Sequence, residues 1–411
     1  MNLLTLGMLI FVVLISIIVF SYASCYMAGD LRKTSFLGNL CAVTASVICL
    51  VLANNLLIAF IGWQGISYFI YQLLTHYKDR PQAIAAAKHK CKITRIGDAS
   101  FLIAIILSYS TLHSSEYSQL AQSSQAGFIA FLLAFAVITK ASLFPFHTWL
   151  PKTLETPTPV SALMHAGVIN AGGFLLIRLF SLISQHLWVL IFLTLIGCLT
   201  AVVGSLYTMV QPSIKKKLAY STVSQMGFMF FQYGLGSPLS ALFHLFSHGL
   251  YKATAFLDSG NGLRQGYAKE APYSALLSLK KTAVALLGTG VILMIADHYF
   301  DLRSIPLLSL GFVSLSLFQW LLNAPENSWH HMTFTYLFAL FLTAEYAVAT
   351  HIFEHYFSLG AITWLPVDAQ RTLLAALWTI QLAASLFPIR LIQKTQTARC
   401  LYRLLKEHRY A

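Results

Sequence analysis

Residues 128–167 read FIAFLLAFAVITKASLFPFHTWLPKTLETPTPVSALMHAG. An apolar run ends on Lys140, passes through a stretch punctuated by Pro145, Pro151, Pro157 and Pro159, and resumes as a second apolar segment carrying His165. A lysine at bilayer depth costs roughly 2.5–3.5 kcal/mol on insertion scales, so one retained there points to a proton or ion relay. Proline removes a backbone hydrogen bond and breaks helices. In a membrane the freed backbone groups are tolerated only where buried protein or water satisfies them, so Pro145 predicts a helix break beside an aqueous cavity, just after Lys140. Pro157 and Pro159 fit two readings equally: part of that break, or the turn between two spans.

The rest of the chain sets this stretch in a membrane. Of 411 residues, 57% are hydrophobic and 10% charged, a balance outside that of soluble domains. Apolar stretches near the length of a transmembrane helix recur throughout and leave no room for a sizeable soluble domain. The expected fold class is all-α, a polytopic transmembrane helical bundle of about 13 spans, among them 97–112, 126–146, 158–180, 238–259 and 331–352. The first run, 3–24, lacks a basic n-region and a cleavage site and reads as a retained helix.

With that count, nearly all of the 27 Lys and Arg fall on one side, including Lys78–Arg95 and the tail from Arg390. Arg178, Arg303 and Arg371 fall on the other, and Lys140 and Lys252 lie within spans. The positive-inside rule then places the C-terminus in the cytoplasm and the N-terminus outside, in a cell (inner) membrane. Topology and anionic lipid headgroups account for the net charge of +13, which argues against a nucleic-acid partner and for membrane lipids. The six cysteines form no CxxC pair, and no metal cluster, phosphate loop or nucleophile elbow is present, so this chain alone is expected to bind no cofactor or metal and to have no catalytic constellation.

A second charged constellation follows. His244, His248 and Lys252 in FHLFSHGLYKATAFL stand at i, i+4 and i+8 and share one helical face, which predicts a hydrated polar track. Histidine titrates near neutral pH and can accept on one nitrogen while donating from the other. Acids able to answer the buried lysines are few: Asp98, Asp258 and Glu345. Arg95 and Asp98, at i and i+3, either pair with each other or take part in transport. Glu345, His351, Glu354 and His355 fit a second ion entrance or a solvated helix end.

Taken together, NNLLIAFIGWQGISYFIYQLLTHY, KITRIGDAS, the segment around Lys140, IKKKLAYSTVSQMGFMF and FHLFSHGLYKATAFLDSG resemble the antiporter-like membrane subunits of respiratory complex I, chain-L type, and of Mrp antiporters, over residues 20–262. The resemblance implies that Lys140 is the central proton-handling lysine of a broken helix and His165 its neighbouring relay. It implies that Lys215 is the lysine before the LAYST motif, that His244, His248 and Lys252 form the next relay group, and that Arg95 and Asp98 are the family's arginine and aspartate. Where the family has glutamate in its GWE motif, this sequence has Gln64, which cannot carry charge. Relative to the family the chain reads as shortened at both ends, and beyond Asp258 the resemblance fades.

A short member of this kind is most similar to the DabB-type membrane subunits of two-component inorganic-carbon transporters. That likeness implies a soluble, cytoplasmic DabA-like partner resembling a zinc carbonic anhydrase, with the zinc in the partner, and a membrane subunit that lets protons or another cation drive uptake. A redox-pump subunit or a multisubunit cation/proton antiporter subunit are the alternatives. The expected organisation is an N-terminal span at 1–35, a translocating core at 36–262, divergent helices at 263–390 and a basic cytoplasmic tail at 391–411.

Overall fold

Apolar runs of bilayer length fold as helices, and the breaks between them fall where glycine, proline or a polar side chain offers the backbone another partner. The computed structural model describes residues 3–211, 213–259, 275–300, 307–322, 336–337, 339–341, 343–344, 346–348 and 365–386. The chain divides into two units, residues 1–266 and 267–411. The basic tail at 391–411, most of the expected span at 331–352, and Glu345, His351, Glu354 and His355 lie outside the described residues.

The first unit contains α1 (Leu3–Tyr26), α2 (Lys33–Leu52), α3 (Leu56–Leu74), α4 (Pro81–Leu112), α5 (Ala126–Lys140), α6 (Thr158–Arg178), α7 (Leu187–Val210), α8 (Ile214–Gly234) and α9 (Pro238–Leu257). The second contains α10 (Ala275–Phe300), α11 (Leu307–Leu322) and α12 (Val367–Leu386), joined through a core that includes Ala285, Ile292, Leu317 and Phe318, with Trp378 packed on Phe318. Among the described residues, α1, α2, α3, α6, α7 and α10 are long and apolar enough to cross a membrane.

Polar contacts between loops show that α2, α3 and α4 alternate in direction. At one end, Arg178 donates to the carbonyls of Val51 and Ala53 and to the Asn54 side chain. There also the Leu56 amide donates to Ser115 O at 2.9 Å, and the Asn55 side chain caps α3 by accepting from the Ile58 amide. At the opposite end, Asp30 accepts from the Arg32 amide at 2.7 Å and the Tyr77 hydroxyl at 3.0 Å, while Arg32 donates to His76 O. The Arg32 amide bond, aided by Tyr77 and His76, holds the Asp30 carboxyl below the ordinary carboxylate range. Its contribution is therefore present at neutral pH and is lost as the pH falls below the ordinary carboxylate range to the lowered value.

Helix α6 is the axis of this unit, its most apolar stretch wholly buried, whereas exposed apolar side chains line α1, α3 and α7. Pro159 stands in its first turn, where a missing amide costs nothing, so Pro157 and Pro159 belong to the start of a span. A single π-helical turn, Met164–Val168, interrupts α6 at His165. Such turns widen a helix locally and recur at functional sites.

Two expected boundaries differ. The span expected at 97–112 is the second half of α4, a helix of 32 residues, about 48 Å long at 1.5 Å per residue and longer than the bilayer core. Residues 81–95, expected as part of a basic loop, are helical because Ala83, Ala86, Ala87, Lys90, Thr94 and Gly97 recur at three- and four-residue spacing and bury one face. The span expected at 126–146 ends at Lys140. Beyond it Ser142 takes a left-handed φ of 61°, and short turns of helix at Phe146–Thr148, Trp149–Lys152 and Thr153–Glu155 carry the chain to α6. The break after Lys140 is thus present, five residues ahead of Pro145. Its freed groups are answered from within: the Trp149 indole donates to Thr139 O, and the Phe144 amide donates to the Thr200 hydroxyl.

Close approach of α4 to α5 depends on Gly97, where a Cβ would collide with the Thr139 hydroxyl and lie 2.8 Å from Ala136 O. Gly97→Val is expected to abolish monodisperse protein in size-exclusion chromatography. Gly38→Val, where a Cβ meets nothing within 4 Å, should leave it intact.

Candidate functional site

The end of α5, the middle of α3 and the middle of α4 meet at one point, where Lys140 is fully enclosed. Its Nζ donates to the backbone carbonyl of Trp63 at 2.7 Å and stands 3.7 Å from the centre of the Trp63 ring. The Trp63 indole N–H donates in turn to Asp98 Oδ1 at 2.8 Å. Arg95 reaches Asp98 Oδ2 and Gln64 Oε1, each at 3.3 Å, so the two readings of Arg95 and Asp98 resolve geometrically as an i, i+3 ion pair that also touches the site.

The sequence Lys140, Trp63, Asp98, Arg95, Gln64 is therefore connected by contact. Gln64, in place of the expected carboxylate, is engaged by Arg95, and Lys140 has no direct carboxylate bond among the described residues. Magnitudes explain how an ammonium sits there. A hydrogen bond to a charged group contributes roughly 1.5–3 kcal/mol. A desolvated cation–π contact adds about 2 kcal/mol. Together they are comparable with the roughly 2.5–3.5 kcal/mol insertion cost, with Asp98 supplying its field from behind the indole. No fixed ion pair is needed, and the ammonium is left without the partner that would lock it.

A second polar cluster lies between α6, α8 and α9. His165 Nδ1 is 3.0 Å from the Thr222 hydroxyl, its ring stacks on Phe256 at 4.3 Å, and its Nε2 is buried without a hydrogen-bond partner. The Thr222 hydroxyl donates to Leu218 O at 3.1 Å. The same carbonyl accepts from Lys252 Nζ at 3.0 Å, and Lys252 also donates to the Ser221 hydroxyl at 2.9 Å. One helical turn along α9 is His248, also buried with Nε2 unpartnered, and the His244 ring lies 6.1 Å from it. Lys215 sits apart, donating to the Thr158 hydroxyl at the start of α6.

His165 thus shares contacts with the Lys252 group. No hydrogen bond joins it to Lys140, whose charged neighbours are Asp98 and Lys90, while that of His165 is Lys252. Between the clusters, Gly172 of α6 faces Val137 and the Trp63 ring, an apolar contact. Among the described residues no group of His, Cys, Asp or Glu is placed to hold a metal.

Three participants carry no charge signal in sequence: the Trp63 carbonyl, the Leu218 carbonyl and the Thr222 hydroxyl. A fourth, Lys90, was readable from register, since it falls on the buried stripe of α4 between Ala87 and Thr94.

Residues 53–343 match the family described as NADH:quinone oxidoreductase/Mrp antiporter, TM. The chain belongs to this family. The match runs past Asp258, where the sequence resemblance was expected to fade. Of curated relatives, the "Probable inorganic carbon transporter subunit DabB1" of Halothiobacillus neapolitanus is 35% identical over 312 residues, 70% of this chain and 56% of the relative. DabB2 of the same organism is 33% identical over 347 residues, 81% and 63% respectively. The chloroplastic NAD(P)H-quinone oxidoreductase subunit 5 of Mesostigma viride is 35% identical over 271 residues, 63% and 42%. The chain thus spans about half the length of these relatives. Among solved structures, the Mrp complex from Dietzia sp. DQ12-45-1b is similar at TM-score 0.61 and 25% identity, covering 93% of this chain and 44% of that one. An archaeal membrane-bound sulfane sulfur reductase is similar in fold alone, at TM-score 0.58 and 18% identity, covering 97% and 81%. The protein is a multi-pass, antiporter-like membrane subunit.

The indole bridge is separable from the ring. Trp63→Phe retains an aromatic face for Lys140 and removes the donor to Asp98, a hydrogen bond to a charged group. That should destabilise the protein by about 1.5–3 kcal/mol. A melting temperature in detergent equal to wild type would show that the bridge contributes nothing.

Proposed function

We propose that this chain is the membrane subunit of an energy-coupled inorganic-carbon uptake system. It conducts protons, or another cation, down their gradient through the Lys140 site. A soluble DabA-like partner resembling a zinc carbonic anhydrase carries the chemistry of bicarbonate and CO2. The observation that carries ion conduction is the enclosed Lys140, placed at a helix break and held by a carbonyl and a ring, with its carboxylate one indole away. The resident charge exchanges without first breaking an ion pair. His165, Thr222, Lys252, His248 and His244 form a second polar segment on the other side of α6, separate from the Lys140 cluster, and Lys215 marks its edge.

The carbon-uptake reading is favoured by the reach of the similarity, which extends over 312 and 347 residues with the two DabB relatives and over 271 with the quinone-oxidoreductase subunit. A subunit of a redox-driven pump or of a multisubunit cation/proton antiporter is the second reading, supported by the comparable identity of those relatives and by the Mrp likeness. Positive charge at Arg32, Lys33, Lys78, Arg80 and Lys215–Lys217 supports the reading that this end is cytoplasmic and the N-terminus outside. The same end is where a soluble partner would dock.

Co-expression of the protein with such a partner should rescue growth at ambient CO2 of cells lacking carbonic anhydrase and raise their uptake of labelled inorganic carbon. Failure of the assembled pair to do either would contradict the carbon-uptake reading. Lys140→Ala should reduce energy-dependent uptake to background while the complex still assembles. Wild-type uptake in that variant would remove Lys140 from the mechanism.

A further inference from the structure

Lys90, like Lys140 and Lys252, is a lysine that folding has enclosed. It lies on α4, nine residues in from Pro81 at the basic end, and is 2% exposed. Long lysines near helix ends ordinarily lay their stems on apolar surface and keep the ammonium in water. Lys90 does not: its Nζ is itself buried and has no hydrogen-bond partner. A buried ammonium without an acceptor is an uncompensated charge, an arrangement that single-partner deletions at buried pairs show to be strongly destabilising. It persists where water reaches the nitrogen or where the proton leaves.

Its register says where such a proton would go. Lys90, Thr94 and Asp98 stand at i, i+4 and i+8 on α4, all buried, and form one polar stripe on the buried face of that helix. The Thr94 hydroxyl donates to Lys90 O at 3.1 Å, and Asp98 is the carboxylate that accepts from the Trp63 indole. Along the axis Lys90 lies about 12 Å from Asp98 at 1.5 Å per residue, displaced toward the basic end. Asp98, Arg95 and Cys91 act on it through space, and it acts on Lys140. Among the described residues, the other titratable groups on elements packed against α4 are Tyr68 and Tyr71 of α3 and His147, Lys152 and Glu155 of the broken segment.

We infer that Lys90 is a second proton-exchanging amine of the site, standing between the basic end of the bundle and the Lys140–Trp63–Asp98 cluster. The inference rests on the reading of this chain as a proton conductor and adds the side toward which Lys140 discharges. In the transfer, an N–H bond of the Lys140 ammonium breaks and its electron pair stays on Nζ. The proton passes to water, and a proton from that water bonds to the lone pair of neutral Lys90 Nζ. One positive charge moves from α5 to α4 with no net change. Asp98 acts through space on both amines.

The test uses the full chain reconstituted in phosphatidylethanolamine/phosphatidylglycerol vesicles containing pyranine, with a valinomycin-clamped potassium potential driving proton entry. Lys90→Met keeps the length of the side chain and removes the amine. Lys90→Arg keeps the charge and cannot release it at accessible pH, and Lys90→His restores a titratable nitrogen. The expected result is a proton flux at least tenfold below wild type for Lys90→Met and Lys90→Arg. Lys90→His should recover part of it with a pH profile moved to the acid side, and all three should elute as wild type does. Lys90→Arg conducting at the wild-type rate would reduce Lys90 to a fixed charge and overturn the relay. Lys90→Met conducting normally while Lys140→Ala is silent would overturn this inference alone and leave proton conduction standing. Wild-type vesicles no faster than empty ones would remove both.

Discussion

Everything at the centre of the first unit depends on holding one ammonium, that of Lys140, where water is scarce and no carboxylate touches it. The Trp63 carbonyl and ring do so together, a hydrogen bond and a cation–π contact of about 2 kcal/mol each, enough to offset insertion without an ion pair. That interaction explains the neighbouring geometry. The helix must end at Lys140 so that the side chain reaches α3, and the freed carbonyl of Thr139 must find the Trp149 indole. Gly97 must lack a side chain so that α4 can bring Asp98 behind the tryptophan.

The arrangement also gives Gln64 a physical role. A glutamate beside a buried lysine makes a strong pair that has to be broken before the proton moves. A neutral amide engaged by Arg95 leaves the carboxylate duty to Asp98, one indole removed. The field on Lys140 is then weaker and its charge is easier to exchange. This suits the gradient-driven conduit proposed above.

Much of this was legible in the sequence for plain reasons. Charges are costly in a membrane, so Lys140 and Lys252 announced themselves; prolines announced the break; and the i, i+4, i+8 spacing announced the face shared by His244, His248 and Lys252. What stayed hidden were acceptors common to every residue. The carbonyls of Trp63 and Leu218 hold the two lysines, and a carbonyl leaves no mark on residue type. Lys90 was obscured differently. Surrounded in sequence by Lys88, Lys92 and Arg95, it looked like one more loop charge, and only the small-residue register of α4 distinguishes it. The resemblance made His165 the relay beside Lys140, and in the fold its Nδ1 lies on the Thr222 hydroxyl.

The claim that Lys140 is held by Trp63 and not by a carboxylate is tested most directly by a cryo-electron microscopy structure of the protein in lipid nanodiscs, at a resolution that shows ordered water. The account predicts Lys140 Nζ on the Trp63 carbonyl and over its ring, the indole on Asp98, Gln64 on Arg95, and α5 ending at Lys140. An ammonium turned away from Trp63 into a direct ion pair with Asp98, or α5 continuing unbroken through Pro145, would contradict it.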